Sequence, residues 1–167
     1  MIIISTPTPD SATSSDLFIS GQMIFGTENR QLEKASMEGE GFAPDKQKPR
    51  ALVVDDAPDV TEMIALLLQY AGYEVTTVFS ASQALEAARA ESFDVLVSDI
   101  GMPGMNGYEL AETLRALPDY MNVPMIAVTG FTMYDDRERA LQAGFNAFLT
   151  KPINPRDLIN LVERLRS

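Results

Sequence analysis

Apolar and polar positions along the second part of the chain switch repeatedly between two periods. Residues 51–54 (ALVV) form a short unbroken apolar run, the signature of a strand buried on both faces. Val60, Met63, Ile64, Leu67 and Leu68 then recur at helical spacing and stop near Gly72. Residues 73–78 read as a second strand. Ser80 followed three positions later by Gln83 has the form of a capping box and opens a helix carrying Ala84, Leu85 and Ala88. Residues 93–98 give a third strand, and a Gly/Pro/Asn-rich loop follows over 100–107. Leu110, Leu114 and Leu117 mark a third helix. A fourth strand is expected at 124–128, a fourth helix at about 134–143 and a fifth strand at 146–150. The last helix opens at Asn154-Pro155, a cap followed by a first-turn proline, and carries Leu158, Leu161, Val162 and Leu165.

Five apolar strands alternating with five helices imply a parallel sheet covered on both faces. At this size the expected architecture is α/β, a flavodoxin-like, doubly wound (βα)5 sheet in strand order 2-1-3-4-5. Residues 50–167 make up that domain.

Residues 1–49 break the pattern and are expected to be a disordered tail and linker. Positions 5–15 are almost all Ser, Thr, Pro, Asp and Ala, too polar to repay the entropy of ordering. The stretch 17–25 (LFISGQMIF) is the one apolar patch in the tail, and 43–50 (APDKQKPR) reads as a linker. The first residues lack a basic n-region, so no secretory signal is expected and the cytoplasm is the expected location. No apolar run approaches the roughly 20 residues a membrane span needs.

Composition narrows the chemistry. The 167-residue chain has no Cys and no His, which excludes disulfides, thiolate or imidazole metal sites, and Ser-His or Cys-His triads. The net charge of −11 has the wrong sign for gripping a phosphate backbone, so no nucleic-acid partner is expected. Residues 1–49 carry seven acids and four bases. Residues 50–167 carry seventeen and nine, a net of −8.

Several of those acids fall where a doubly wound sheet binds ligands, beyond the carboxyl ends of its strands. Asp55 and Asp56 follow the first strand, Asp99 the third, Thr129 closes the fourth and Lys151 follows the fifth. In the expected order these strands are neighbours, so three carboxylates, a hydroxyl and an ammonium converge. Carboxylates that close repel one another unless a cation neutralises them. Oxygen-only ligands favour a hard divalent ion, Mg²⁺ above all. An aspartate beside a divalent ion, an ammonium and a hydroxyl is suited to accepting a phosphoryl group, whose charge is spread over three oxygens.

These segments together resemble the receiver domain of two-component response regulators: the acidic pair in LVVDDAPD, the aspartate in VLVSDIGMPGMNGYEL, Thr129 in IAVTG, Lys151 in FLTKP, and Phe148 just ahead of it. The wording around Asp99 is also similar to receivers found in hybrid histidine kinases. The resemblance covers about residues 50–167. It implies that Asp99 is the phosphoacceptor and that Asp55 and Asp56 hold Mg²⁺, one directly and one through water. The main-chain carbonyl of Gly101 is implied as a further ligand. Thr129 and Lys151 would meet the phosphoryl oxygens, Phe148 would be a switch aromatic, and the Lys151–Pro152 peptide bond would be cis.

The implied function is a phosphorylation-dependent signalling module. It would take phosphoryl from the phosphohistidine of a sensor kinase or a histidine phosphotransfer protein, then switch a downstream protein target or relay the group onward. It would be no enzyme beyond its own phosphorylation and dephosphorylation. The alternative is a degenerate receiver acting only as an interaction scaffold, against which the full set of site residues argues. A Mg²⁺-dependent phosphohydrolase would want a second aspartate two positions after the first; Gly101 stands there. The resemblance further implies slow self-dephosphorylation: fast-hydrolysing receivers align a water with polar side chains two positions after the acceptor and two after the threonine, where this chain has Gly101 and Phe131.

Overall fold

A computed structural model of the chain describes residues 47–130 and 134–167, without the side chains of residues 134 and 135. The expectations for the tail, including residues 17–25, and for Phe131 lie outside the described residues. The elements run β1 (Arg50–Val54), α1 (Pro58–Tyr70), β2 (Glu74–Val78), α2 (Ala81–Ala90), β3 (Val95–Asp99), α3 (Gly107–Arg115), β4 (Met125–Thr129), α4 (Tyr134–Ala143), β5 (Ala147–Thr150) and α5 (Pro155–Arg166). All strand pairs are parallel and the order is β2-β1-β3-β4-β5, the doubly wound sheet expected from the alternation.

The unbroken apolar strands are explained by burial on both faces. Along β1, Leu52 and Val54 enter the core shared with α2, α3 and α4, while Ala51 and Val53 enter the core shared with α1 and α5. The same division continues in β3, with Leu96 on the first side and Val97 on the second. Successive side chains of a strand point to opposite faces, so a strand in the middle of a two-sided sheet needs apolar residues throughout. The outermost strand β2 (EVTTV) is correspondingly more polar and more exposed.

Local chemistry sets the element ends. Ser80 Oγ accepts from the Gln83 amide, but the Gln83 side chain accepts from the Phe79 amide, one residue before the cap, so the expected box closes one position early. A true reciprocal box lies at α3: Asn106 Oδ1 accepts from the Glu109 amide at 3.0 Å, and Glu109 Oε2 accepts from the Asn106 amide at 2.9 Å. Asn154 caps α5 ahead of Pro155. A 3₁₀ turn at Pro118–Tyr120, unforeseen in the sequence, leaves Leu117 outside α3 but still packed on the core. Tyr73 and Phe93 precede their strands and are buried as core residues. No helix among the described residues is long and apolar enough to cross a membrane.

Helix α4 has few apolar anchors. Ala140 and Ala143 enter the core, while its polar residues reach back to Tyr108 at the start of α3. Arg139 lies over the Tyr108 ring, 4.5 Å from its centre, and the Tyr108 hydroxyl donates to the Asp136 main-chain carbonyl and to Asp136 Oδ1, each at 3.4 Å.

Candidate functional site

The carboxyl ends of β1, β3, β4 and β5 lie side by side because the strands are parallel and neighbours. Val54 pairs with Ser98, Asp99 with Val128, and Thr129 with Thr150. Asp55 therefore leaves β1 beside Asp99, the last residue of β3, and Lys151 leaves β5 on the same edge. Asp55, Asp56 and Asp99 each offer a carboxylate oxygen, and these oxygens lie within 4.8 Å of one another. Asp55 is fully buried and Asp99 is 6% exposed, whereas Asp56 faces solvent. Lys151 Nζ donates to Asp55 Oδ2 at 2.7 Å and to Asp99 Oδ1 at 3.1 Å, joining residues 96 and 52 positions apart in the chain.

The electrostatics follow from this packing. Burial pushes the Asp99 carboxyl above its ordinary range; the Lys151 ammonium pulls the other way without cancelling it, and the nearby Asp55 adds to the rise. For Lys151, burial on its own would disfavour the ammonium, but its hydrogen bonds to Asp55 and Asp99 and their charges outweigh that and hold its pKa above the ordinary value. With all groups ionised, three carboxylates against one ammonium leave a charge of −2, the amount one divalent ion neutralises. A cluster of hard oxygen donors with one member open to solvent fits a Mg²⁺-type ion that keeps part of its water shell.

The surrounding backbone fixes the acceptor edge. Asp55 Oδ1 also accepts from the Ala57 amide at 2.9 Å; Ala57 itself is the residue preceding α1, so Asp55 contributes to that turn without being its cap. The loop after β3 folds around one atom: the Ile100 carbonyl accepts from both the Met102 and the Gly107 amides. Gly101 lies exposed in that loop. Thr129 is buried at the end of β4, and its carbonyl accepts from the Lys151 amide at 2.8 Å. The Lys151–Pro152 peptide bond is cis.

Phe148 does not join the carboxylate cluster. It is half-buried on β5, paired with Ala127, packed against the core beneath α2–α4 and lining a surface groove between α4 and α5. Two residues that sequence reasoning passed over shape the site from behind. A Cβ on Gly107 would lie 2.3 Å from the Asp99 carbonyl oxygen and 2.8 Å from Ile100 Cα, so only glycine lets α3 begin this close to β3. Ser98 Oγ donates to the same Asp99 carbonyl at 2.8 Å. The glycine ending the MPGMNG loop was the available signal for the first; nothing in VLVSD marked the second.

A doubly wound sheet with an oxygen-only, lysine-bridged acidic pocket on its carboxyl edge defines a class of domain built to hold a hard cation beside an aspartate. The particular family follows from sequence. The pattern of the response regulator receiver domain matches residues 51–163, and the chain belongs to that family. An uncharacterized 14.6 kDa protein from Leptolyngbya boryana is 42% identical over 113 residues, covering 68% of this chain and 86% of the relative. The sensor protein GacS of Pseudomonas syringae pv. syringae is 37% identical over 117 residues, which is 68% of this chain but 13% of GacS. Among solved structures, the chemotaxis response regulator CheY4 of Vibrio cholerae is 33% identical with a TM-score of 0.67, covering 71% of this chain and 99% of that one. The receiver domain of sensor histidine kinase PA1611 from Pseudomonas aeruginosa, solved with a magnesium ion coordinated in its active-site cleft, is also 33% identical, with a TM-score of 0.66 over 71% of this chain and 98% of that one.

Proposed function

We propose that this receiver accepts a phosphoryl group on Asp99 from the phosphohistidine of a sensor kinase or a histidine phosphotransfer protein. The observation that carries this reading is the convergence of the Asp55, Asp56 and Asp99 carboxylate oxygens within 4.8 Å, with Lys151 Nζ bonded to two of the three side chains. Such an edge is costly in the resting protein and useful only when further positive charge and a phosphoryl group arrive.

In the reaction, an Asp99 carboxylate oxygen attacks phosphorus as the phosphorus–nitrogen bond to the donor imidazole breaks, leaving an acyl phosphate and a free histidine. Asp55, Asp56, Asp99 and the Gly101 carbonyl would hold Mg²⁺. The bound ion would neutralise charge on the phosphoryl oxygens. Lys151 offers its ammonium to another of those oxygens, exchanging part of its hold on Asp99 for the incoming group, and the Thr129 hydroxyl donates to a third. Pull on Thr129, at the end of β4, reaches the neighbouring strand β5 and Phe148, which would carry the change to a downstream protein. The chain catalyses only its own phosphorylation and dephosphorylation, works in the cytoplasm, and needs neither nucleic acid nor membrane for these steps.

Incubation with acetyl phosphate and Mg²⁺ followed by intact-mass measurement tests the reading. The expected result is a gain of one phosphoryl group that Asp99→Asn abolishes. No gain in the wild-type chain would leave only a scaffold role, and repeated turnover of small phosphate esters would point to a hydrolase.

A further inference from the structure

We propose that Ser98 is a positioning residue for the phosphoacceptor: its buried hydroxyl fixes the peptide plane that carries the Asp99 Cα, aiming the Asp99 carboxylate and setting where the loop toward the Gly101 carbonyl begins. This rests on Asp99 being the acceptor. Strand β3 reads Val95, Leu96, Val97, Ser98, Asp99, and Ser98 is the one polar residue in its interior. It is fully buried. By register it sits between Val54 of β1 and Ala127 of β4, both members of the apolar core beneath α2–α4. An apolar side chain would fill such a place without stripping a hydroxyl of its water, as Leu96 does two residues earlier.

Among the described residues the hydroxyl makes one hydrogen bond. Ser98 Oγ donates to the Asp99 main-chain carbonyl oxygen at 2.8 Å. The same oxygen is confined from another direction by Gly107, where an added Cβ would come within 2.3 Å of it. One carbonyl is thus held by a hydrogen-bond donor and by the close approach of a helix start. Its carbon is bonded to the Cα that carries the acceptor carboxylate. The chain then continues through Ile100, whose own carbonyl accepts two amides, to Gly101. The Asp99 carboxylate therefore hangs from the Cα at one end of the clamped peptide, and the Gly101 carbonyl follows two peptides on, past the pinned Ile100 carbonyl, so rotation of the clamped peptide would turn the carboxylate and shift the start of the loop that carries Gly101. This makes β3 the fixed wall of the site, with rearrangement left to the Thr129 and Lys151 side.

The test compares Ser98→Thr with Ser98→Val in the full chain, because the two side chains have the same shape and differ only in the hydroxyl; Ser98→Ala guards against overpacking by either. Three quantities are read: the carbonyl ¹³C shift of Asp99 without Mg²⁺, the Mg²⁺ dissociation constant from amide shifts, and the phosphorylation rate at saturating Mg²⁺ and acetyl phosphate. Val and Ala are expected to move the Asp99 carbonyl upfield and to weaken Mg²⁺ affinity or slow phosphorylation by about tenfold, the lower end of what outer partners of metal ligands contribute. Thr is expected to stay within about twofold of wild type on the same scale. A merely structural hydroxyl would lower the stability of Val and Ala while leaving affinity and rate untouched, and equal values for Thr and Val would overturn the proposal. A wild-type chain that neither binds Mg²⁺ nor gains phosphoryl would refute the acceptor reading itself, and this inference with it.

Discussion

At the amino edge of the sheet, Arg115 ends α3 and spreads its guanidinium over neutral acceptors. It donates to the carbonyls of Tyr120 at 2.6 Å, Val123 at 2.8 Å and Gly144 at 2.7 and 3.0 Å, and to Asn146 Oδ1 at 2.8 Å. At the carboxyl edge, Asp55 and Asp99 are buried more fully than Arg115 but share a single ammonium, with Asp56 close beside them. Every buried side-chain nitrogen and oxygen among the described residues has a partner, so both edges satisfy hydrogen bonding. They differ in charge. One cation among carbonyl dipoles is a finished arrangement, whereas three carboxylates around one cation are held in a state that a further cation would improve. The amino edge joins loops that follow different elements; the carboxyl edge keeps its imbalance available for a ligand.

Removing Arg115 should have the largest effect. Arg115→Ala strands carbonyls on two segments, 120–123 and Gly144, and removes the packing of its stem against Gly144, so about 3 kcal/mol of stability should be lost, measured by urea unfolding. Arg115→Lys should recover little of it, because a point charge cannot reach acceptors spread around a planar fork. The loss should be the same with and without Mg²⁺. A loss that Mg²⁺ repaired would erase the distinction between the edges.

Gly107→Ala comes next and links stability to the site. The new Cβ meets backbone, which cannot swing aside as a side-chain end can, so α3 must back away from β3. A cost of about 1–3 kcal/mol is expected, together with slower phosphorylation per folded molecule. Unchanged phosphorylation in a destabilised Gly107→Ala protein would show that the acceptor tolerates a displaced α3.

The smallest effect has the opposite sign. Burial raises the Asp99 pKa, so on raising pH the unfolded chain ionises at this position first and folded-state stability falls through that interval. Below about pH 4, the ordinary aspartate range, the group is neutral in both states and costs nothing. Asp99→Asn should therefore be more stable than wild type at pH 7 without Mg²⁺, with the gap closing as pH falls. A wild-type protein more stable than Asp99→Asn at neutral pH would mean that Lys151 repays the carboxylate in full.

The two edges were also unequally legible. Asp55, Asp99 and Lys151 could be placed because each directly follows or ends a short apolar run, and the alternation of runs and helices orders the strands. Arg115 gave no comparable signal: in TLRAL it reads as the solvent side of a helix, and its acceptors come from segments up to 31 residues further on. The Asn106–Glu109 box was hidden inside a stretch whose Gly and Pro residues already explained it as loop. Gly107 and Ser98 act through distances between backbones, which depend on how α3 lies on β3. Strand limits moved by a residue or two, since Tyr73 and Phe93 are apolar enough to extend a run yet are buried by packing outside the ladder.

The most direct measurement is the unfolding free energy of the wild-type chain as a function of Mg²⁺, set beside Arg115→Ala and Asp99→Asn. A ligand that binds only the folded state adds about 2.7 kcal/mol at a hundredfold excess over its dissociation constant. The expected result is that increment in wild type and, undiminished, in Arg115→Ala, with a clearly smaller one in Asp99→Asn. An unfolding midpoint that does not move with Mg²⁺, or an equal increment in Asp99→Asn, would contradict the carboxyl edge as a site left charged for a divalent ion.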